Sequence, residues 1–181
     1  MSTDEPTPDP ITSALAYQRM LLGALGDDDP AEVQTHGPTN ARSLVVEAGP
    51  HLRTRPEPRE WSVLLCLAHL ADAEMVMTTR YRWVLAHDQP ELIGYDQDLW
   101  VDRLHSDADN PAELLRQYAW LRVANVALWR GSSPADRARV GIHRERGPES
   151  YELMFRMLAG HDRVHLAQAR RALAAVSPSR G

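Results

Sequence analysis

Lysine is absent from this chain of 181 residues, and all 20 basic side chains are arginine. Chemistry that runs through a lysine Schiff base or a lysine general base is thereby excluded. Cysteine is nearly as scarce. Cys66 is the only one, so the chain can form no internal disulfide and no cysteine-rich zinc module, and a reducing cytoplasm is the expected compartment. Long hydrophobic runs are missing too: charge or histidine interrupts each one well short of the roughly 18 residues that a membrane span requires. The acidic, proline-rich start, from Met1 to Pro10, lacks the apolar stretch of a signal peptide. A net charge of -5 removes the basic surface that general nucleic-acid binding needs.

What remains is enough for a core. With 43% hydrophobic residues, the chain reads as one domain over residues 11–175, between a disordered tail at 1–10 and a fraying tail at 176–181. Apolar spacing and punctuation predict helices. A short one runs over residues 12–25, ended by Gly26 and three aspartates; another opens at Pro38 and stops at Gly49-Pro50. The longest, over residues 60–86, contains no glycine or proline, and two more cover 111–130 and 148–175. The segments between them, 89–110 and 132–148, are long connections without convincing strand alternation. The expected architecture is all-α: a four-helix bundle with long crossover connections and an additional short N-terminal helix.

Histidine carries the chemistry. His161 and His165 stand four apart, so their Cβ atoms lie roughly 5–6 Å from each other on one helix face. His69 lies on the apolar face of another predicted helix. Three imidazoles from two facing helices can hold a divalent ion and leave a coordination position open, as in catalytic rather than sealed sites. The pair alone is also what two ordinary histidines at a core edge look like, so context has to decide.

Other residues invite a role beside that centre. Asp72, three after His69, is placed to orient a ligand through a hydrogen bond or, more plainly, to pair with an arginine. Tyr95, Asp96, Asp98 and Trp100 belong to a connection that either lines a pocket mouth or pins the loop to the bundle. His143 and Glu145 face the same choice between touching substrate and stabilising a turn. Asp162 points about 100° away from His161 and is expected in solvent. Arg163 is a candidate for holding a carboxylate, with a surface salt bridge as its plainer role. Cys66 reads as a small buried residue, and Trp61, Trp83, Trp120 and Trp129 as packing or interface residues.

Four segments in order resemble the DinB family, a damage-inducible, metal-binding four-helix-bundle superfamily that includes bacillithiol- and mycothiol-dependent enzymes. They are Glu60-Trp61-Ser62 leading to His69-Leu70-Ala71-Asp72-Ala73-Glu74; Tyr95-Asp96-Gln97-Asp98 with Trp100; Gly141-Ile142-His143-Arg144-Glu145; and His161-Asp162-Arg163-Val164-His165-Leu166-Ala167-Gln168. The resemblance implies that His69, His161 and His165 stand in the places of the family's metal ligands, with zinc or nickel as the ion. Asp72, Tyr95, Asp96 and His143 stay the candidates for a place behind those ligands or around the pocket. The resemblance further implies a homodimer, active as a metal-dependent thiol S-transferase that uses mycothiol, bacillithiol or a similar small thiol. A metal-dependent hydrolase and a non-catalytic metal- or ligand-binding stress protein are the alternatives. No nucleic-acid or membrane partner is implied.

Overall fold

The computed structural model describes residues 12–177 and places them in seven helices, one short 3-10 turn and a small sheet. The expected tail at residues 1–10 lies outside the described residues, as do 178–181. Val176 is the last residue of the final helix and packs against the core, so the chain is ordered one residue past the expected end.

Side-chain caps fix most of the helix starts. Helix α1 spans Ala14–Leu25 and α2 spans Pro30–Ala48, where Asp29 accepts hydrogen bonds from Ala31 N and Glu32 N, with Pro30 in the first turn. Ser62 caps α3, Val63–Ala86, and Asp96 caps α4, Gln97–Leu104. Asn110 caps α5, Pro111–Gly131. A reciprocal capping box of Ser133 and Asp136 opens the short α6, Pro134–Arg137, and Ser150 caps α7, Tyr151–Val176.

Helix α2 begins eight residues earlier than the sequence reading placed it, so Pro38 is inside the helix and not at its start. A proline there removes the N–H that would have reached the carbonyl four residues back. That carbonyl, Gln34 O, instead accepts from Arg122 Nη1 at 2.9 Å. Gly37 makes the approach possible. A Cβ at that position would sit 2.6 Å from the Tyr118 hydroxyl, 2.9 Å from Asp162 Oδ2 and 3.0 Å from Arg122 Nη1. The Gly37-Pro38 pair is thus the socket in α2 for a buried arginine.

Arg122 fills that socket as the hub of a buried network. Its guanidinium donates to Glu74 of α3 at 2.7 and 2.9 Å and to both carboxylate oxygens of Asp162 of α7, and Asn125 donates to Glu74 Oε1 at 2.7 Å. Paired and hydrogen-bonded in this way, the charges survive burial, and removing one partner would strand the others. The network ties α2, α3, α5 and α7 together. Asp162, expected in solvent, is therefore one of its buried members: α7 is enclosed by α1, α2 and α3, so a side chain 100° from the histidine face still meets protein.

Those four helices form the bundle. Helix α2 packs against α5 and α7, and α3 packs against the same two, so α2 faces α3, and α5 faces α7, mainly across the diagonals. The expected crossover is present, and the short linker between α2 and α3 spans one diagonal. The connection of residues 132–150 spans the other, while that between α3 and α5 joins neighbours. Helix α1 lies along α7 at such close range that a Cβ on Gly160 would collide with the backbone carbonyl of Leu21.

The connections are not strand-free. Strand β1, Glu91–Leu92, runs parallel to β2, Val140–His143, and β2 runs antiparallel to β3, Gly147–Ser150. The sheet fastens the two long connections to each other across one end of α3. Gly147, at φ +76°, makes the turn that a side chain would strain.

Candidate metal centre

Burial of α3 and α7 against each other brings His69, His161 and His165 together. Their ring centroids are 4.3 to 4.9 Å apart, and one nitrogen from each ring lies within 4.8 Å of the others. All three are buried. His69 Nε2 and His161 Nε2 are 2.9 Å apart, and His165 Nδ1 donates to Gln168 Oε1 at 2.8 Å. Of the six ring nitrogens, His165 Nδ1 alone has a hydrogen-bond partner outside the trio; His69 Nδ1, His161 Nδ1 and His165 Nε2 are buried without one. A cation held between the facing Nε2 atoms of His69 and His161 would also give His165 Nε2, a buried nitrogen that is otherwise unpartnered, the partner that buried polar atoms nearly always have.

Electrostatics keep these rings in the form that binds a cation. Burial, then the neighbouring imidazole of His165, holds His69 and His161 well below the usual histidine range. Burial also lowers His165, to about 4, against the opposing effect of its hydrogen bond to Gln168. Neutral imidazole is the ligating species. The donor set fits a divalent ion: with metal–nitrogen bonds of roughly 2.0–2.1 Å, two nitrogens 2.9 Å apart can share one centre. Gln168, one turn beyond His165, fixes that ring's tautomer and leaves Nε2 as the free electron pair. Trp61 walls the site, its ring 5.0 Å from that of His69 and stacked at 6.0 Å on that of His165.

A cavity of about 90 Å³ has His161 in its lining. Ala73, Val76 and Met77 of α3 form one wall, Tyr17 and Leu21 of α1 another, and Met154, Met157 and Leu158 of α7 a third. Its polar side groups come from the connections and from α3: Tyr95, His143, Glu145, Arg146, Glu149 and Arg80. Two obligate donors approach His143, Arg80 at 3.3 Å from Nε2 and the Glu145 backbone N–H at 3.3 Å from Nδ1, and Glu145 Oε2 lies 2.9 Å from the same Nδ1. Burial, then the charges of Arg146 and Arg80, lowers His143 to about 4, so it is a neutral link between arginine and glutamate.

The remaining expected residues divide. Tyr95 lines the cavity with its ring 4.6 Å from that of Trp100, and His143 and Glu145 line it as well. Asp96 serves no pocket: it caps α4 through Leu99 N at 2.9 Å. Asp72 bonds none of the three histidines and pairs with no arginine; its Oδ2 accepts from His105 Nε2 at 2.9 Å, and His105 Nδ1 in turn meets Asp109 at 2.7 Å. Arg163 donates to Asp28 and to the carbonyls of Ala24 and Leu25 at the end of α1. Cys66 is buried, and burial pushes its thiol up to about 12, far from the thiolate that catalysis needs. Trp61 sits just before α3, and Trp120 is largely exposed.

Three residues near the site went unassigned in the sequence. Gln168 is three after His165 and was within reach of a helical-spacing argument. Arg80 is eleven after His69, three full turns along the same face. His105 had no local signal, since only the fold brings α4 to Asp72.

The chain is similar to known proteins to different degrees. The family model described as the DinB superfamily matches residues 49–169. A protein of Oceanobacillus iheyensis, OB0782, whose name carries the provisional assignment of metal-dependent hydrolase, is 30% identical over 108 residues, covering 59% of this chain and 62% of the relative. The chain therefore matches somewhat less than two thirds of that relative's length. The structure of YfiT from Bacillus subtilis, described as a probable metal-dependent hydrolase with an unusual four-helix bundle topology, superposes with a TM-score of 0.72 at 22% identity. That likeness covers 79% of this chain and 83% of YfiT and concerns the fold.

Proposed function

Because this chain belongs to the DinB superfamily, we propose that it is a divalent-metal-dependent hydrolase with His69, His161 and His165 as ligands. The observation that carries this reading is the buried trio of neutral imidazoles, bonded outward only through Gln168, with His161 lining a cavity. The names of OB0782 and YfiT point the same way. A divalent ion held by three nitrogens supplies Lewis acidity, which acidifies a water or thiol beside it and polarises a carbonyl. The protein's own part is placement. Gln168 orients His165, Trp61 and the surrounding helices keep bulk water from the rings, and the apolar walls steer an acyl chain toward His161. In the overall reaction water adds to the acyl carbon, the bond to the leaving group breaks, and that group departs with a proton.

Thiol transfer is the second reading, favoured by Arg80 and Arg146 on the cavity wall, which suit the carboxylates of a small thiol cofactor. Metal analysis of protein purified without an affinity metal column is expected to give about one zinc or nickel per chain, and none for His69→Ala or His165→Ala. Turnover of ester or amide substrates should vanish with chelator and proceed without added thiol. Turnover only with thiol would replace hydrolysis by transfer. Activity retained in both metal-free variants would end the metal-dependent reading.

A further inference from the structure

Arg80 is a buried cation with no carboxylate in hydrogen-bond contact; Glu149 and Glu145 act on it only at longer range. It is 6% exposed, and its guanidinium contacts are Met77 Sδ at 3.8 Å, Ile93 O at 2.5 Å and His143 Nε2 at 3.3 Å, all neutral. The carboxylates nearby are otherwise engaged. Glu149 is held by Arg146, and Glu145 faces His143. A guanidinium withdrawn from water gains most from a carboxylate in direct contact, which neither glutamate provides and a ligand could supply. Arg80 and His161 line the same cavity.

Helix geometry sets its distance from the metal centre. Eleven residues separate His69 from Arg80 on α3, a rise of roughly 16 Å at nearly the same angular position. The contact with Met77, one turn back, shows that the Arg80 side chain leans toward His69. That brings the guanidinium to roughly 10 Å from the histidines, given the reach of a long side chain directed to the helix N-terminus. Between the two ends the same wall presents Ala73, Val76 and Met77, a small residue followed by two apolar ones. On the scale of this cavity, about 90 Å³, a water takes about 10–15 Å³, so a slender chain of several heavy atoms fits.

We propose that the cavity selects substrates bearing a carboxylate at the far end of a slender apolar chain, with Arg80 as the anchor for that carboxylate and the scissile acyl group at the histidine trio. This rests on the hydrolytic reading for the acyl end only. His143, whose Nε2 accepts from Arg80, is a positioning residue that holds the guanidinium toward the cavity.

The test uses the full chain in two arms. In the first, zinc-loaded protein is given the 4-nitrophenyl hemiester of suberic acid and 4-nitrophenyl octanoate, which match in length and differ in the terminal charge. A charged hydrogen bond should favour the hemiester by tenfold or more in kcat/KM. Arg80→Met is expected to bring the ratio close to one, and Arg80→Lys to retain part of it. In the second arm, chelator-treated protein is titrated calorimetrically with octanoate and octanamide, and octanoate should bind at least tenfold more tightly, in wild type but not in Arg80→Met. The wild-type comparison needs no variant to fold. Equal binding of octanoate and octanamide to wild type overturns the anion site. Arg80-dependent octanoate binding with no turnover of either ester upholds the anion site and refutes hydrolysis instead. Equal turnover of both esters despite such binding overturns the substrate assignment and gives the carboxylate to another reactant, such as a thiol.

Discussion

The three histidines cost the metal-free protein stability in acid. Unfolded, each titrates near 6.5; folded, each stays neutral well below that, His165 down to about 4. Below pH of about 6.5 the unfolded chain therefore binds more protons than the folded one, and folding stability falls as pH falls. Each histidine contributes up to about 1.4 kcal/mol per pH unit across its window. Urea denaturation of chelator-treated protein between pH 7 and 5 should lose stability more steeply for wild type than for His165→Gln, by up to that amount per unit. Parallel pH profiles would contradict the neutral, buried state of His165. At this scale the sequence was informative where spacing alone decides: the i, i+4 pair was readable and so was the face bearing His69. Asp162 and Asp72 were misread because their partners, Arg122 and His105, come from other elements. Angular position on a helix does not reveal what lies on its far side.

Among the elements, α2 shows how a local rule was outweighed. Pro38 is an ordinary helix-start signal, yet Asp29-Pro30 supplies a better one, and Arg122 takes over the carbonyl that Pro38 leaves free. Gly37→Ala should gain about 1 kcal/mol in helix propensity and lose about 1–3 kcal/mol through overpacking against Tyr118, Asp162 and Arg122. The expected balance is a net loss of stability, read as a lower denaturant midpoint at unchanged slope. A gain would mean that the network yields without cost. The strands were illegible for a different reason. β1 has two residues and β2 four, too few to display alternation, and their pairing joins segments some fifty residues apart. Similarly α4, at eight residues, was hidden in a connection rich in turn-forming residues.

For the molecule as a whole, a ligand that binds only the folded state stabilises it by mass action. At a free metal concentration a hundredfold above Kd the gain is about 2.7 kcal/mol. For a domain of this size that corresponds to roughly 5–10 °C in Tm. Adding zinc or nickel to chelated protein should raise Tm by that order in wild type and leave His161→Ala unmoved. A shift that survives in the variant would place the ion elsewhere. The bundle and its extra N-terminal helix were legible from periodicity and caps, because each helix carries its own signals. The cavity was not, because it is made where α1, α3, α7 and the sheet meet.

Helix α1 lies wholly before residues 49–169, the stretch matched by the superfamily, yet Tyr17 and Leu21 form part of the chamber beside the histidines. The histidine trio and part of the chamber wall are thus encoded in different portions of the chain. Grafting a foreign α1 in place of Ala14–Leu25 would reshape that wall while leaving every imidazole of the trio untouched.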